Sequence, residues 1–307
     1  MANGFTMLTS RVGYFPGSVN VGLVLGESGA ILIDSGLEAQ TAKKLKKGLE
    51  QLSKPLAAIV QTHAHADHFG GNAYLLGCYP QAKVYAPPIE EAILRYPILE
   101  PIYLGMGASP LAELQNKFLL AQASRVDHLL PTEGEIEIDG VSFTVLSLPG
   151  HSWQQVGLAA DGICFAADSY FGVETLQKHK LPFLVDAWET LQSLHALRES
   201  RFAGYLPGHG PYETEAEAKQ TMDANIACHE RLLDLIEAVL TEEQTLETGL
   251  AAVCERCDIS MQNLSSFVLF RTAFMGYLTG LLRAERVGYR LEANCLLWRK
   301  KSAPGAE

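Results

Sequence analysis

Thr62-His63-Ala64-His65-Ala66-Asp67-His68 places three histidines and an aspartate within six residues. A short apolar run, 56–60, precedes it, as a buried strand would. Phe69-Gly70-Gly71-Asn72 follows and reads as a turn. In an extended chain, residues i and i+2 point the same way. His63 and His65 can therefore aim at one point, with Ala64 too small to obstruct them. After the bend, Asp67 and His68 can aim at a second point nearby. Imidazole and carboxylate are the usual ligands of zinc and similar metals. Surface loop histidines are the plainer account. Yet nine histidines in 307 residues do not by composition alone crowd three into six positions. Metal binding is the stronger reading.

The elements that must position these groups read as alternating strands and helices. Apolar runs at 19–25 and 30–36 flank Glu27-Ser28-Gly29, a hairpin pattern that ends on Asp34-Ser35-Gly36. Residues 39–52 carry leucines at helical spacing, with lysines on the other face. A short helix at 72–76 and a strand at 83–86 follow, an α/β order. Further strands are expected at 135–138 and 141–148, the second ending at Pro149-Gly150-His151. Another hairpin-like pair, 156–160 and 162–168, ends on Asp168. A helix spans 187–200, and the stub Tyr205-Leu206 leads into Pro207-Gly208-His209. Three more strand-like runs thus end in a group able to bind metal.

Two regions stand apart. Residues 87–127 form a long connection with helix-like pieces at 89–96 and 112–121. Connections this long often carry function, such as a lid, and packing over a sheet edge is the equal alternative. Tyr103, Met106 and Phe118 are its candidates to line a pocket. From 214 onward long helices are expected at 216–240, 246–256 and 264–282, then a small β-hairpin at 287–298, which together suggest a winged-helix-like module. Two domains follow from this, 1–213 and 214–307. Cys254 and Cys257 lie i, i+3 on a helix-like segment and read as half-buried small residues.

Hydrophobic residues make up 48% and charged residues 19%, enough apolar material for a sizeable core. The net charge of -11 argues against non-specific adhesion to nucleic acid or membrane. No run approaches the ~18 apolar residues of a membrane span, and residues 1–7 lack the pattern of a signal peptide. Six scattered cysteines do not form a secreted disulfide framework. A cytoplasmic protein with free thiols is expected.

Taken together, THAHADHFGGN (62–72), LPGHS (148–152), AADS (166–169), PGHG (207–210) and LIDSG (32–36) resemble the metallo-β-lactamase fold superfamily. They occur in the family's order over roughly the first 215 residues, and the HxHxDH element is the specific one. The resemblance implies an α/β, four-layered αββα sandwich with a dinuclear site at one edge. Carried over, His63, His65 and His151 would hold one metal, and Asp67, His68 and His209 the other. Asp168 would bridge both. Asp34 would orient the ligand loop by hydrogen bonds. Two divalent metal ions, zinc first and iron or manganese next, would ionise a bridging water into a nucleophile at neutral pH. Asp67 would orient it or move its proton.

Departures within the superfamily narrow the choice. The commonest zinc β-lactamases carry a cysteine where this chain has Asp168. Redox di-iron members carry a glutamate where it has His65. Glyoxalase II-like thioesterases and lactonases share the seven ligands, although no basic glutathione-binding motif is evident here. Trp153, Tyr170 and Phe171, beside two ligands, are candidates to shape a substrate pocket, as are Tyr14 and Phe15.

The function expected is hydrolysis of a small ester, thioester or lactone. A phosphodiesterase or ribonuclease is the alternative, with the C-terminal module contacting nucleic acid through Arg283, Arg286, Arg290, Arg299, Lys300 and Lys301. Acidic residues still outnumber basic ones beyond 214. The apolar segment 264–282 could serve as a homodimer arm or pack on its own core.

Overall fold

The computed structural model describes residues 4–301; the first residues of the segment read above for a leader lie outside that range. Strict alternation builds the first sheet. In β4 (Ala30–Ile33), Ile31 and Ile33 face one apolar cluster, while Ala30 and Leu32 face another, the period-2 pattern of a strand buried on both sides. β4 lies among β1 (Thr6–Met7), β2 (Val12–Phe15), β3 (Val21–Leu25), β5 (Leu56–Val60), β6 (Lys83–Ala86) and β7 (His128–Leu129), in the order β1-β2-β3-β4-β5-β6-β7. Pairing is antiparallel up to β4 and parallel from β4 to β7. Parallel neighbours need crossovers, and these are α1 (Ala39–Gln51), the turns α2 (Ala66–Phe69) and α3 (Asn72–Cys78), and the insertion with α4 (Pro88–Arg95) and α5 (Leu99–Leu104).

The second sheet runs β13-β12-β11-β10-β9-β8. Its strands are β8 (Gly134–Ile138), β9 (Val141–Ser147), β10 (Val156–Ala160), β11 (Ile163–Ala167), β12 (Gly204–Pro207) and β13 (Glu213–Thr214). Phe143, Val145, Leu158 and Phe165 interdigitate with Val24, Ile31 and Val60 of the first sheet. Outside the sheets, α1 packs through Ala42, Leu45 and Leu49 on one outer face. On the other, α7 (Ala187–Glu199) and α8 (Glu215–Val239) pack through Leu194, Leu197 and Met222. The result is a four-layer αββα sandwich, as expected.

β9, β11 and β12 run in one direction, since β10 is antiparallel to both β9 and β11, and β11 is parallel to β12. Their carboxyl ends reach one edge of the sandwich.

α6 (Val173–His179), a short polar helix not expected from the sequence, precedes α7. α9 (Leu246–Arg256), α10 (Leu264–Arg283) and the hairpin β14 (Val287–Glu292) and β15 (Cys295–Lys300) complete the chain. Three helices and a hairpin match the C-terminal pattern. Their core is continuous with the sandwich: Leu181, Leu184 and Ala187 join Leu232, Leu250, Phe274 and Trp298 in one cluster. By length and composition α10 could cross a membrane, yet Phe274, Tyr277, Leu278 and Leu281 are buried in that cluster.

The helix expected at 112–121 is only a 3-10 turn at Ala112–Leu114. Asn116 explains the stop. Its Nδ2 donates to Glu113 O and its Oδ1 accepts from Phe118 N, local bonds that compete with helix continuation. A helix forms instead at Leu99–Leu104. Pro101 is tolerated there because it sits in the first turn, where no intrahelical N–H bond is needed.

Candidate active site

β5 ends at Val60, the chain bends at Thr62, and it reaches His65, whose backbone is extended and which caps α2. His63 and His65 therefore project from the non-helical stretch after the strand, whereas Asp67 and His68 project from a helical turn. β9 leads to His151, β11 to Asp168 and β12 to His209. The donor atoms gather in two groups, His63 with His65 and His151, and Asp67 with His68 and His209, each within 4.8 Å. His65 Nδ1 stands 2.9 Å from His151 Nε2. Asp67 Oδ2 lies 3.3 Å from His209 Nε2. Asp168 lies between the groups: Oδ1 is 3.3 Å from His68 Nε2, and Oδ2 is 3.5 Å from His151 Nε2 and 3.3 Å from His209 Nε2. One carboxylate thus touches both groups.

The second nitrogen of most of these imidazoles is held from behind. His68 Nδ1 donates to Asp34 Oδ2 at 2.8 Å, His151 Nδ1 to Phe183 O at 3.0 Å and His209 Nδ1 to Ser18 O at 2.7 Å. His63 Nδ1 meets Thr62 Oγ1 at 3.0 Å, and that hydroxyl donates to Asp34 Oδ2 at 2.8 Å. Asp34 Oδ1 also accepts from Thr62 N at 2.9 Å. Such outer bonds fix which nitrogen carries its lone pair inward. Asp34 also falls into a third grouping with His63 and His68, but its oxygens are already engaged by Thr62 and His68, so it acts from outside.

Asp34 has φ +65° and Ala167 φ +50°, conformations that cost roughly 1–3 kcal/mol each and concentrate at functional sites. Gly208 is required by proximity: a Cβ there would stand 2.0 Å from Asp168 Oδ1.

Burial holds His63 well below its ordinary pKa, and burial with His151 beside it brings His65 to about 3. Burial lowers His151 as well. The first group is therefore three neutral imidazoles, the protonation state a metal requires. In the second group burial is outweighed. Asp168 raises His209 to about 10, and Asp168 with Asp34 raises His68. Burial would raise Asp67, but His68 and His209 bring it to about 2.

Buried polar atoms are normally hydrogen-bonded. His63 Nε2, His68 Nε2 and Asp168 Oδ1 are buried with no such partner. Unpartnered donor atoms of these types, converging on two adjacent points, fit divalent cations.

The fold and these donors define a metal-dependent hydrolase. A family model described as the metallo-beta-lactamase superfamily matches residues 14–209, and the chain belongs to that superfamily. It is 27% identical over 207 residues to a probable metallo-hydrolase of Streptococcus pyogenes serotype M6, covering 65% of this chain and 82% of that protein. It is 29% identical over 174 residues to a hydroxyacylglutathione hydrolase of Xanthomonas campestris pv. campestris, covering 56% of this chain and 54% of that one. The second match thus reaches about half of that enzyme. In fold the chain is similar to a beta-lactamase domain protein from Burkholderia ambifaria, with TM-score 0.75, 16% identity, and 98% and 94% of the two chains covered. It is similar also to a metallo-beta-lactamase family protein from Thermus thermophilus, with TM-score 0.70, 19% identity, and 92% and 94% covered.

A cavity of about 780 Å3 opens over the donors. Of the aromatics expected to shape it, Phe171 lines it. Tyr170 does not: it points the other way, into the core beneath α8, where its hydroxyl donates to Glu213 at 3.1 Å. Trp153 is 49% exposed and outside the lining. Phe118 lines the cavity, whereas Tyr103 packs between the insertion and neighbouring core residues and Met106 is exposed. Tyr14 and Phe15 pack in the sandwich.

The sequence pattern did not reveal Glu90, Glu100, His179 or Phe183. The last three line the cavity. Glu90 holds the ligand loops from behind: it accepts from Ala64 N, Ser152 Oγ and Gln154 N at 2.8–2.9 Å. No local pattern marks these residues, because each gains its role from distant parts of the chain.

Removing Asp34 tests the outer bonds. Asp34→Ala strands Thr62 N–H and frees the His68 ring, so affinity for a metal at the His68 group should fall ~10–100-fold. Competition with a chromophoric chelator measures this. Unchanged affinity would leave Asp34 a packing role only.

Proposed function

We propose that this hydrolase carries two divalent metal ions, most favourably zinc, and cleaves a small ester, thioester or lactone. The observation that carries the reading is Asp168, whose two oxygens reach the donors of both groups at the floor of a cavity. His63, His65 and His151 would hold one ion, and Asp67, His68 and His209 the other, with Asp168 shared. When bound, such a pair supplies Lewis acidity and an ionised water nucleophile near neutral pH.

The chain's own groups set the geometry for that chemistry. His151 and His209 are fixed by the Phe183 and Ser18 carbonyls. Asp67 lines the cavity and stays ionised, so it can accept a hydrogen bond from the attacking water and orient it. Phe171, Leu181 and Phe183 give the cavity apolar walls beside the donors.

The phosphodiesterase reading is less favoured. The C-terminal basic residues largely face acids of their own chain. Arg283 is 2.7 Å from Asp186, Arg286 is 2.6 Å from Asp234, Arg290 is 2.6 Å from Glu243 and Lys300 is 3.0 Å from Glu237. Paired cations offer little to a phosphate backbone.

The deciding experiment strips the protein with chelator, restores zinc, manganese or iron, and offers esters, thioesters, lactones, phosphodiesters and β-lactams. Hydrolysis of acyl substrates that vanishes on stripping and returns with metal is expected. Phosphodiester turnover exceeding acyl turnover would overturn the reading, as would RNA affinity that is strong at low salt and falls steeply with added salt.

A further inference from the structure

The cavity is walled by parts of the chain outside the catalytic layers. Glu100, Phe118 and Leu119 come from the insertion, Phe183 from the segment after α6, and Leu269 and Phe270 from α10. These walls are bonded to one another. Asn116 Nδ2 donates to Ser265 Oγ at 3.0 Å, and an Arg271 N–H to Leu104 O at 2.7 Å. Leu104, Leu114, Leu119 and Val268 share one apolar cluster. The insertion and the C-terminal helices thus meet over the metal donors to form a built chamber.

Its chemistry is one-sided. No lysine or arginine is among the lining residues. Lys117, beside Phe118 at the rim, already pairs with Glu38 at 3.0 Å. Glu100 is 4% exposed, lines the chamber, and its carboxyl makes no hydrogen bond among the described residues. Burial, with the charges of Asp67 and Glu90 nearby, pushes that carboxyl well up from the usual range. A carboxyl that lines the chamber without a protein hydrogen-bond partner offers a hydrogen bond to a ligand.

We infer that this chamber receives an uncharged, apolar acyl or alkyl group of the substrate, that Glu100 hydrogen-bonds a neutral polar atom beside it, and that substrates with an anionic group there are rejected. The inference rests on the hydrolase reading above and narrows its substrate class, away from thioesters of carboxylate-rich thiols. Each methylene buried there is worth up to roughly fourfold in affinity. A carboxylate held against Phe118, Leu119, Leu269 and Phe270, away from the metal donors, meets apolar walls and no lysine or arginine.

The test uses the metal-loaded full chain and two readouts. Calorimetry compares octanamide with its ω-carboxyl counterpart, suberamic acid. Kinetics compares butanoyl, octanoyl and suberoyl thioesters of the neutral thiol N-acetylcysteamine. Octanamide should bind at least tenfold tighter than suberamate. kcat/KM should rise from butanoyl to octanoyl and fall at least tenfold for suberoyl. Glu100→Leu should weaken octanamide about tenfold with metal content unchanged, while Glu100→Gln keeps it. Leu269→Arg should favour the carboxylate ligand, and Phe118→Arg at the rim, 61% exposed and so safe for folding, should do the same more weakly. Suberamate binding as tightly as octanamide would overturn the inference. Unchanged octanamide binding in Glu100→Leu would remove Glu100 from it. If octanamide binds as expected but no thioester, ester or lactone is cleaved, the hydrolase reading fails while the chamber's preference stands.

Discussion

Asp168→Ala should lower metal content by at least one ion per chain and reduce hydrolysis by more than the ~10–100-fold typical of losing a partner outside the ligand shell. The carboxylate contacts His68, His151 and His209 at once. Two divalent ions ~3.5–4 Å apart repel, and a shared anion offsets that repulsion. Removing it also leaves the two imidazoles of the second group without the charge that sets their protonation, since Asp168 is the leading influence raising His68 and His209. Asp168→Asn separates shape from charge. It keeps the volume under Gly208, where there is no room for a larger neighbour, but loses the negative charge. It should therefore fold like the parent and still lose metal. Two ions retained in both variants, measured by elemental analysis, would reject the shared role.

The donors were legible because strand ends announce themselves: an apolar run, then a ligand-type residue, directly at Asp168, after Gln61 and Thr62 at His63, and after a Pro-Gly pair at His151 and His209. The four layers were expected from the family resemblance rather than from periodicity, because strands buried on both faces read as plain apolar runs; β4, β10 and β11 place alternate side chains between the sheets and under the helices. The insertion was legible only in part. Its first helix, Pro88–Arg95, matches the one expected at 89–96, but the second does not form, because local bonds of Asn116 end the turn that leucine spacing would extend. The cavity aromatics were only partly legible. Adjacent Tyr170 and Phe171 point to opposite sides, and sequence proximity to Asp168 cannot say which faces the cavity. Nor could spacing show that α10 forms a cavity wall, because Leu269 and Phe270 meet Phe118 and Leu119 only through folding across some 150 positions.

Glu90 shows the same limit with a larger expected effect. It sits in the first turn of α4, 1% exposed. Oε2 accepts from Ala64 N, between His63 and His65, at 2.9 Å. Oε1 accepts from Ser152 Oγ and Gln154 N, each at 2.8 Å, just beyond His151. One side chain from the insertion therefore braces both loops that supply the first donor group. Burial raises its pKa, against the pull of these three donors. Hydrogen bonds to a charged group are worth ~1.5–3 kcal/mol each. Glu90→Ala should consequently lower Tm and weaken metal binding at the His63, His65, His151 group by ~10–100-fold. Glu90→Gln is the sharper probe. An amide offers one acceptor oxygen, so its NH2 must face either Ala64 N–H or the Ser152 and Gln154 donors, and at least one bond becomes a donor–donor clash. It should retain most of the fold and fall between Glu and Ala in metal affinity, with the second group less affected. Cobalt substitution reads the two groups separately through their absorption spectra, because an all-imidazole environment differs from one with Asp67. Equal loss at both groups would reduce Glu90 to general stability. Loss confined to the first group would establish that the insertion, besides walling the cavity, holds one half of the metal site in register.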